Sequence, residues 1–217
     1  MKRRKKSLAG KIVSFLVKEV FDKIVSFVAL LVLMPIFLVV ALLIKIDSKG
    51  PVFFLQERVG KGEKIFKAIK FRTMFTEAPQ KTRGIYINKD NSYVTRVGKF
   101  LRRSGIDELP QLINVLKGEM SLVGPRPTLP YQVAKYNDFQ KKRLLMKPGI
   151  TSWALIHGRN KLTWPERIKY DVWYVENWSF CLDLKIIFKT FWVVATGEGL
   201  YAERETDEIA KLEDKNE

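Results

Sequence analysis

Two adjacent carboxylates, Asp107 and Glu108, stand inside the segment L-R-R-S-G-I-D-E-L-P-Q-L-I-N-V-L-K-G-E-M-S-L-V-G-P-R-P, residues 101–127. Apolar Ile106 and Leu109 flank them, and Pro110 suits the first turn of a helix, where its missing N–H costs nothing. Arg102, Arg103 and Arg126 lie in the same segment, with Lys70 and Arg72 upstream. A carboxylate that meets a diphosphate is repelled by it unless cations intervene. Arginine forks supply bidentate phosphate contacts, and a hard ion such as Mg2+, held by one or two carboxylates and phosphate oxygens, supplies the rest. The set therefore has what phosphoryl transfer needs: a nucleophile or metal ligand, and positive charge around phosphorus. The plainer reading is two first-turn acids favoured by the helix dipole, with no chemistry.

Other chemistries are excluded by what is missing. With one cysteine (Cys181) and one histidine (His157) the chain has neither an internal disulfide nor a Cys/His metal cluster. No G-x-S-x-G, H-E-x-x-H or G-x-x-x-x-G-K-[ST] pattern occurs, and Gly197 and Gly199 follow no strand that would make them a dinucleotide fingerprint. His157 reads as a structural residue rather than a general base.

The elements that must position the carboxylates begin with a membrane segment. Ile24 to Ile44 are 21 consecutive uncharged, mostly aliphatic residues between Lys23 and Lys45. As a helix they would be about 32 Å long, against a hydrocarbon thickness of about 30 Å. Pro35 sits in the middle and removes the bond to the Leu31 carbonyl, so a kink is expected. Eight cations lie in residues 2–23 and eight more in residues 45–72, although a spanning helix has one cation-rich side. A spanning helix and a helix that bends at Pro35 and returns to the same leaflet both remain open on these residues.

Beyond the run, residues 51–75 read as two strands about a Gly60–Gly62 turn, residues 76–93 as a polar loop and residues 95–103 as a basic amphipathic helix. A helix is expected near Pro110. After the G-P-R-P-T-L-P loop the chain reads as helical, and Leu184, Ile187, Phe188 and Phe191 recur at helical spacing, as in a helix of the membrane interface. Three parts follow: a basic N-terminus and membrane helix (1–46), a catalytic domain (47–200) and an acidic tail (201–217). The 39 Lys and Arg residues against 23 Asp and Glu give a net charge of +16, yet 47% of residues are hydrophobic. That balance excludes a disordered basic tail and leaves nucleic acid or a phosphate-bearing membrane as the anionic partner.

Five stretches carry a resemblance: F-D-K-I-V-S from Phe21, S-K-G-P-V-F-F-L-Q-E-R-V-G from Ser48, K-F-R-T-M from Lys70, the Asp107 to Pro127 segment and K-P-G-I-T-S-W-A from Lys147. Together, over Phe21 to Gly199, they resemble the bacterial sugar transferases, and more narrowly the small monotopic phosphoglycosyl transferases. The resemblance implies an α+β, mostly helical, membrane-associated fold with a short β-hairpin, interfacial amphipathic helices and a re-entrant membrane helix broken at Pro35. It implies transfer of a sugar-1-phosphate from a UDP-sugar to a polyprenyl (undecaprenyl) phosphate, with release of UMP and with Mg2+ as cofactor. Asp107 would be the nucleophile that forms a covalent phospho-sugar intermediate, and Glu108 its partner, the two also holding the metal. Lys70, Arg102 and Arg126 would contact phosphates, and nucleotide or sugar contacts would fall to Arg72, Arg159 and Asn160. Met34, Ser152 and Leu155 stand where the family commonly has Ser, Gly and Gln. The expected setting is the bacterial inner membrane with the catalytic domain on its cytoplasmic face. Membrane lipids and downstream glycosyltransferases are the expected partners, and nucleic acid is not.

Overall fold

The computed structural model describes residues 8–78 and 93–197. The basic start, most of the polar loop and the acidic tail named above lie outside the described residues.

The apolar run belongs to a longer element, α1 (Leu8–Asp47), a helix of 40 residues with Pro35 inside it. It begins well before Ile24 because Leu16, Val17 and Val20 continue its exposed apolar side. The charges that interrupt the run, Lys18 and Asp22, are buried and answered by other parts of the fold. The expected helix-break-helix is drawn as one helix that carries through Pro35, with Leu33 and Phe37 packed on the folded body on either side of the proline.

Both ends of α1 are tied to that body. Near its start the Lys18 Nζ donates to Asp183 Oδ2 at 2.7 Å and to the Val123 carbonyl at 3.0 Å. In its middle Phe21, Val25 and Leu33 pack against the core of Leu112, Leu122, Val123, Tyr174 and Ile186. Near its end Val40 and Ile44 are buried with Phe71 and Leu101, and Asp47 Oδ2 accepts the Val97 amide at 3.0 Å. On the other side Leu16, Val20, Phe27, Leu31, Leu38 and Leu42 are all more than half exposed. An apolar surface of that extent marks an interaction with membrane or protein.

The expected hairpin forms from β1 (Phe53–Val59) and β2 (Ile65–Phe71), antiparallel, with Phe53 opposite Phe71 and Val59 opposite Ile65. Its tip turns through Gly62 at φ 63°. The expected basic helix is α2 (Arg96–Ser104), begun by Thr95, whose side chain accepts the Gly98 amide at 2.9 Å. The helix expected near Pro110 is a 3-10 turn, Ile106–Gln111, that runs into α3 (Leu112–Leu116).

A second, parallel pair joins β3 (Ser121–Val123), just before the G-P-R-P-T-L-P loop, to β4 (Gly149–Thr151), inside the region read as helical beyond it. Strands of three residues carry too little alternation to be seen in sequence. Their approach depends on glycine: a Cβ on Gly149 would sit 2.1 Å from the Gly124 amide nitrogen. Between β3 and β4 the chain runs through two four-residue helices, α4 (Pro130–Val133) and α5 (Asp138–Lys141). It ends in α6 (Trp164–Asn177) and α7 (Phe180–Thr196). The buried side of α7 is Asp183, Ile186 and Val193, so Phe188, Phe191 and Trp192 lie outside, each at least 70% exposed.

Candidate functional site

The site is assembled from four pieces of chain. Lys70 comes from the end of β2, Arg102 from the last turn of α2, Asp107 and Glu108 from the 3-10 turn, and Arg126 from the loop after β3. Buried Asn114 on α3 fixes β2 beside the turn. Its Oδ1 accepts the Ile69 amide at 3.0 Å and its Nδ2 donates to the Lys67 carbonyl at 2.8 Å, gripping the strand on both sides of Ala68. The exit of β2 is fixed against α2, where the Gly98 backbone lies so close to the Thr73 carbonyl that a Cβ there would stand 2.1 Å from the oxygen. Gly105, at φ 72°, ends α2 and opens the 3-10 turn, a left-handed conformation open to glycine at little cost.

Glu108 is held by two cations. Its Oε1 accepts from Lys70 Nζ at 2.6 Å and from Arg126 NH2 at 2.9 Å, and its Oε2 accepts from Arg126 NH1 at 3.4 Å, a two-pronged grip. The Lys70 and Glu108 side chains are 18% and 19% exposed, so the pair is shielded without being sealed. Burial pushes Glu108 up, but Arg126 and Lys70 outweigh it and hold the carboxyl well below the usual range. Burial lowers Lys70, opposed by Glu108.

Asp107 has the opposite environment. Burial, and then the charge of Glu108, raise its carboxyl to about 6 against the pull of Lys70, Arg102 and Arg126. Among the described residues no side chain donates a hydrogen bond to it. The turn thus holds one saturated carboxylate and one with its oxygens available. Two carboxyl groups whose environments drive their pKa values apart mark a division of labour.

Arg102 donates its Nε to Thr73 Oγ1 at 2.8 Å, which orients the guanidinium and leaves its terminal nitrogens without a protein acceptor among the described residues. Arg58 completes the cationic wall and was not singled out in the sequence, although it lies in the Q-E-R-V-G stretch. Its NH1 donates to the Pro127 carbonyl at 3.2 Å, and burial, then the charge of Arg126, lower it to about 10. Nothing in its sequence position separates it from the other surface cations of the hairpin.

The other expected contacts have partners of their own. Arg72 donates to the Pro51 carbonyl at 2.6 Å, to Ser48 Oγ and the Lys49 carbonyl at 2.8 Å each, and to the Ser48 carbonyl at 2.9 Å. Those bonds bind the turn after α1 to the end of β2, so the guanidinium serves the fold rather than the dyad. Arg159 and Asn160 lie on a short turn after Gly158, and the Arg159 carbonyl accepts from Arg167 NH2 at 2.9 Å, which links that turn to α6. His157 lies against Trp153 at an interplanar angle of 51° and stacks on Tyr170, a packed residue outside the dyad's hydrogen bonds.

Among the described residues no group of three or more His, Cys, Asp or Glu side chains could hold a metal ion by itself. The donors at the dyad are the Asp107 carboxylate, which accepts no side-chain hydrogen bond among the described residues, and a Glu108 carboxylate shared with two cations. That set fits an ion which keeps waters and takes oxygens from a phosphorylated substrate, as Mg2+ does.

The profile of the family described as Bacterial sugar transferase matches residues 13–197. The chain is 43% identical over 185 residues to the "Uncharacterized sugar transferase EpsL" of Bacillus subtilis (strain 168), covering 85% of this chain and 90% of that one. It is 46% identical over 164 residues to the "UDP-N-acetylgalactosamine-undecaprenyl-phosphate N-acetylgalactosaminephosphotransferase" of Aeromonas hydrophila, covering 72% of this chain and 38% of that one. With the "Undecaprenyl-phosphate glucose phosphotransferase" of Komagataeibacter xylinus it shares 43% identity over 158 residues, 68% of this chain and 30% of that one. The chain thus spans about a third of the two longer relatives.

Proposed function

The chain belongs to the bacterial sugar transferase family, and from that premise we propose that it moves a sugar-1-phosphate from a UDP-sugar to undecaprenyl phosphate, releasing UMP. The observation that carries this reading is the asymmetric dyad: Glu108 fixed by Lys70 and Arg126, with Asp107 beside it accepting no side-chain hydrogen bond.

An Asp107 oxygen attacks the sugar-bearing phosphorus of the donor, the bridging P–O bond breaks, and UMP leaves with the electron pair. The aspartyl phospho-sugar is then attacked at the same phosphorus by an oxygen of the acceptor phosphate. The Asp–O–P bond breaks and the carboxylate is restored. Splitting the transfer in this way lets one site serve a water-soluble donor and a lipid acceptor in turn. Arg126 and Lys70 lower the energy of charge gathering on the phosphoryl oxygens, and the terminal nitrogens of Arg102 are placed to grip a phosphate. Mg2+ held by Asp107, Glu108 and diphosphate oxygens would neutralise donor charge and the leaving phosphate. Asp107→Asn should release no UMP from UDP-sugar and undecaprenyl phosphate, a loss of at least about 10³-fold. Release at the native rate would overturn the assignment of the nucleophile.

The ties at both ends of α1 support seating in one leaflet of the bacterial inner membrane, with the dyad on the cytoplasmic face. A helix crossing the bilayer would carry one end away from the body. Cysteines placed at Lys5 and Lys49 in inverted and right-side-out vesicles should therefore both react from the cytoplasmic side only, and labelling of one from each side would show a spanning helix. The named relatives handle different sugars, N-acetylgalactosamine and glucose among them, so the donor sugar is to be identified by UMP release across a panel of UDP-sugars.

A further inference from the structure

The loop that delivers Arg126 poses a particular structural problem. Arg126 lies between Pro125 and Pro127, so its amide is the one backbone donor across those three residues. Other ties hold the loop on either side: the Gly124 amide donates to the Thr151 carbonyl at 3.0 Å, Arg58 donates to the Pro127 carbonyl at 3.2 Å, and the Val59 amide donates to the Thr128 carbonyl at 2.9 Å. None of these reaches the Arg126 peptide itself.

A buried pair does. Arg143, in the turn Lys142–Leu145, and Asp171, on α6, have side chains 1% and 0% exposed and are joined NH2 to Oδ2. The same Arg143 NH2 donates to the Arg126 carbonyl at 2.9 Å. Arg143 NH1 donates to Tyr136 Oη at 2.6 Å, and the guanidinium lies 5.7 Å from the Tyr136 ring centre and 5.5 Å from that of Trp164. The anion thus holds the one guanidinium that takes the Arg126 carbonyl.

A buried ion pair is a poor source of stability, because apolar residues of similar volume usually serve the fold as well. What such residues cannot do is satisfy and orient a particular carbonyl. We infer that Arg143 and Asp171 are a positioning pair for phosphoryl transfer, locking the Arg126 backbone so that its guanidinium meets Glu108 and the substrate phosphate. This rests on the transfer reading above. The pair acts only through Arg126, from the far side of the loop.

Replacing both charges together, Arg143→Met with Asp171→Leu, avoids leaving a lone buried charge. The double variant should melt within a few degrees of the native chain yet release UMP about 10- to 100-fold more slowly, chiefly through kcat, since misplacement of an oriented group by about 1 Å costs that much. Placed on Arg126→Ala, the same replacement should cost less than about twofold further, because the group it positions is gone. Hydrogen exchange in the peptide covering residues 124–128 should quicken at least about tenfold, with the β1–β2 hairpin unchanged. If the double variant does not fold, Arg143→Lys, which keeps the charge but not the fork, is measured by the same three readouts. Native turnover, a full additive loss on Arg126→Ala, or unchanged exchange at 124–128 would overturn the inference. The exchange measurement needs no substrate, so a native chain that releases no UMP would refute the transfer reading while the pair is still judged by exchange.

Discussion

Asp183 and Glu108 are both carboxylates held by a lysine, but they are held for different ends. Asp183 accepts from Lys18 at 2.7 Å, from Tyr174 Oη at 2.6 Å and from Trp178 Nε1 at 3.0 Å, and it lies with Asp22 and Ser121 in a closed, buried network. Every partner there belongs to the fold, and the network fastens α1 to α7. At Glu108 the cations outnumber the carboxylates among the described residues: Lys70, Arg126, Arg102 and Arg58 surround two acids, of which one accepts no side-chain hydrogen bond there. A sealed cluster whose acceptors are answered by donors of the fold stabilises a junction. One left with surplus positive charge and an unengaged carboxylate is arranged for a partner that brings its own negative charge.

Breaking the sealed cluster should have the largest effect on stability. Asp183→Ala takes from Lys18 the nearer of its two buried carboxylates and leaves Tyr174 Oη and Trp178 Nε1 without their acceptor, and should cost about 3–5 kcal/mol, a fall in melting temperature of about 6–20 °C in detergent. Glu108→Gln should show the reverse balance, with UMP release down about 10²-fold and a smaller change in melting temperature, because its cations are partly exposed. A Glu108 variant that melts as low as Asp183→Ala would erase the distinction between the two clusters. The smallest effect is in pH. Asp107 must be ionised to attack, and its carboxyl stands near 6, so kcat/KM should fall as pH drops through about 6. In Glu108→Gln that acid limb should move to lower pH, since one of the two influences that raise Asp107 has gone; a limb that stays in place would mean that another group titrates.

The parts of this arrangement visible in the sequence were those written in local patterns. The apolar run, the alternation about Gly60–Gly62 and the basic stripe after Thr95 each showed in consecutive residues, and the structure has a helix, a hairpin and a helix there. Asp107, Glu108, Lys70 and Arg126 were named as a set, and the structure brings them within hydrogen-bond or Coulomb reach of one another. What stayed hidden depends on contacts distant in sequence. Nothing beside Arg72 shows that its donors are spent on Ser48, Lys49 and Pro51, and nothing beside Lys18 shows that Asp183 awaits it 165 residues away. The β3–β4 pairing was missed because it consists of three-residue strands brought together by glycine contact rather than by alternation.

One consequence lies in the joint at Gly105. A Cβ there would meet nothing within 4 Å, so space does not restrict the position; torsion alone does. The angle between the helix that carries Arg102 and the turn that carries the dyad thus depends on the torsion of this residue, beside the packing of Ile106 against the cluster that holds Leu101. Asparagine, which tolerates the left-handed region, should keep the joint's set, whereas a β-branched residue would spring it. Gly105 is therefore a place where the spacing between a phosphate-gripping arginine and the attacking carboxylate can be retuned, in the laboratory or by natural drift, with no side chain of the site exchanged.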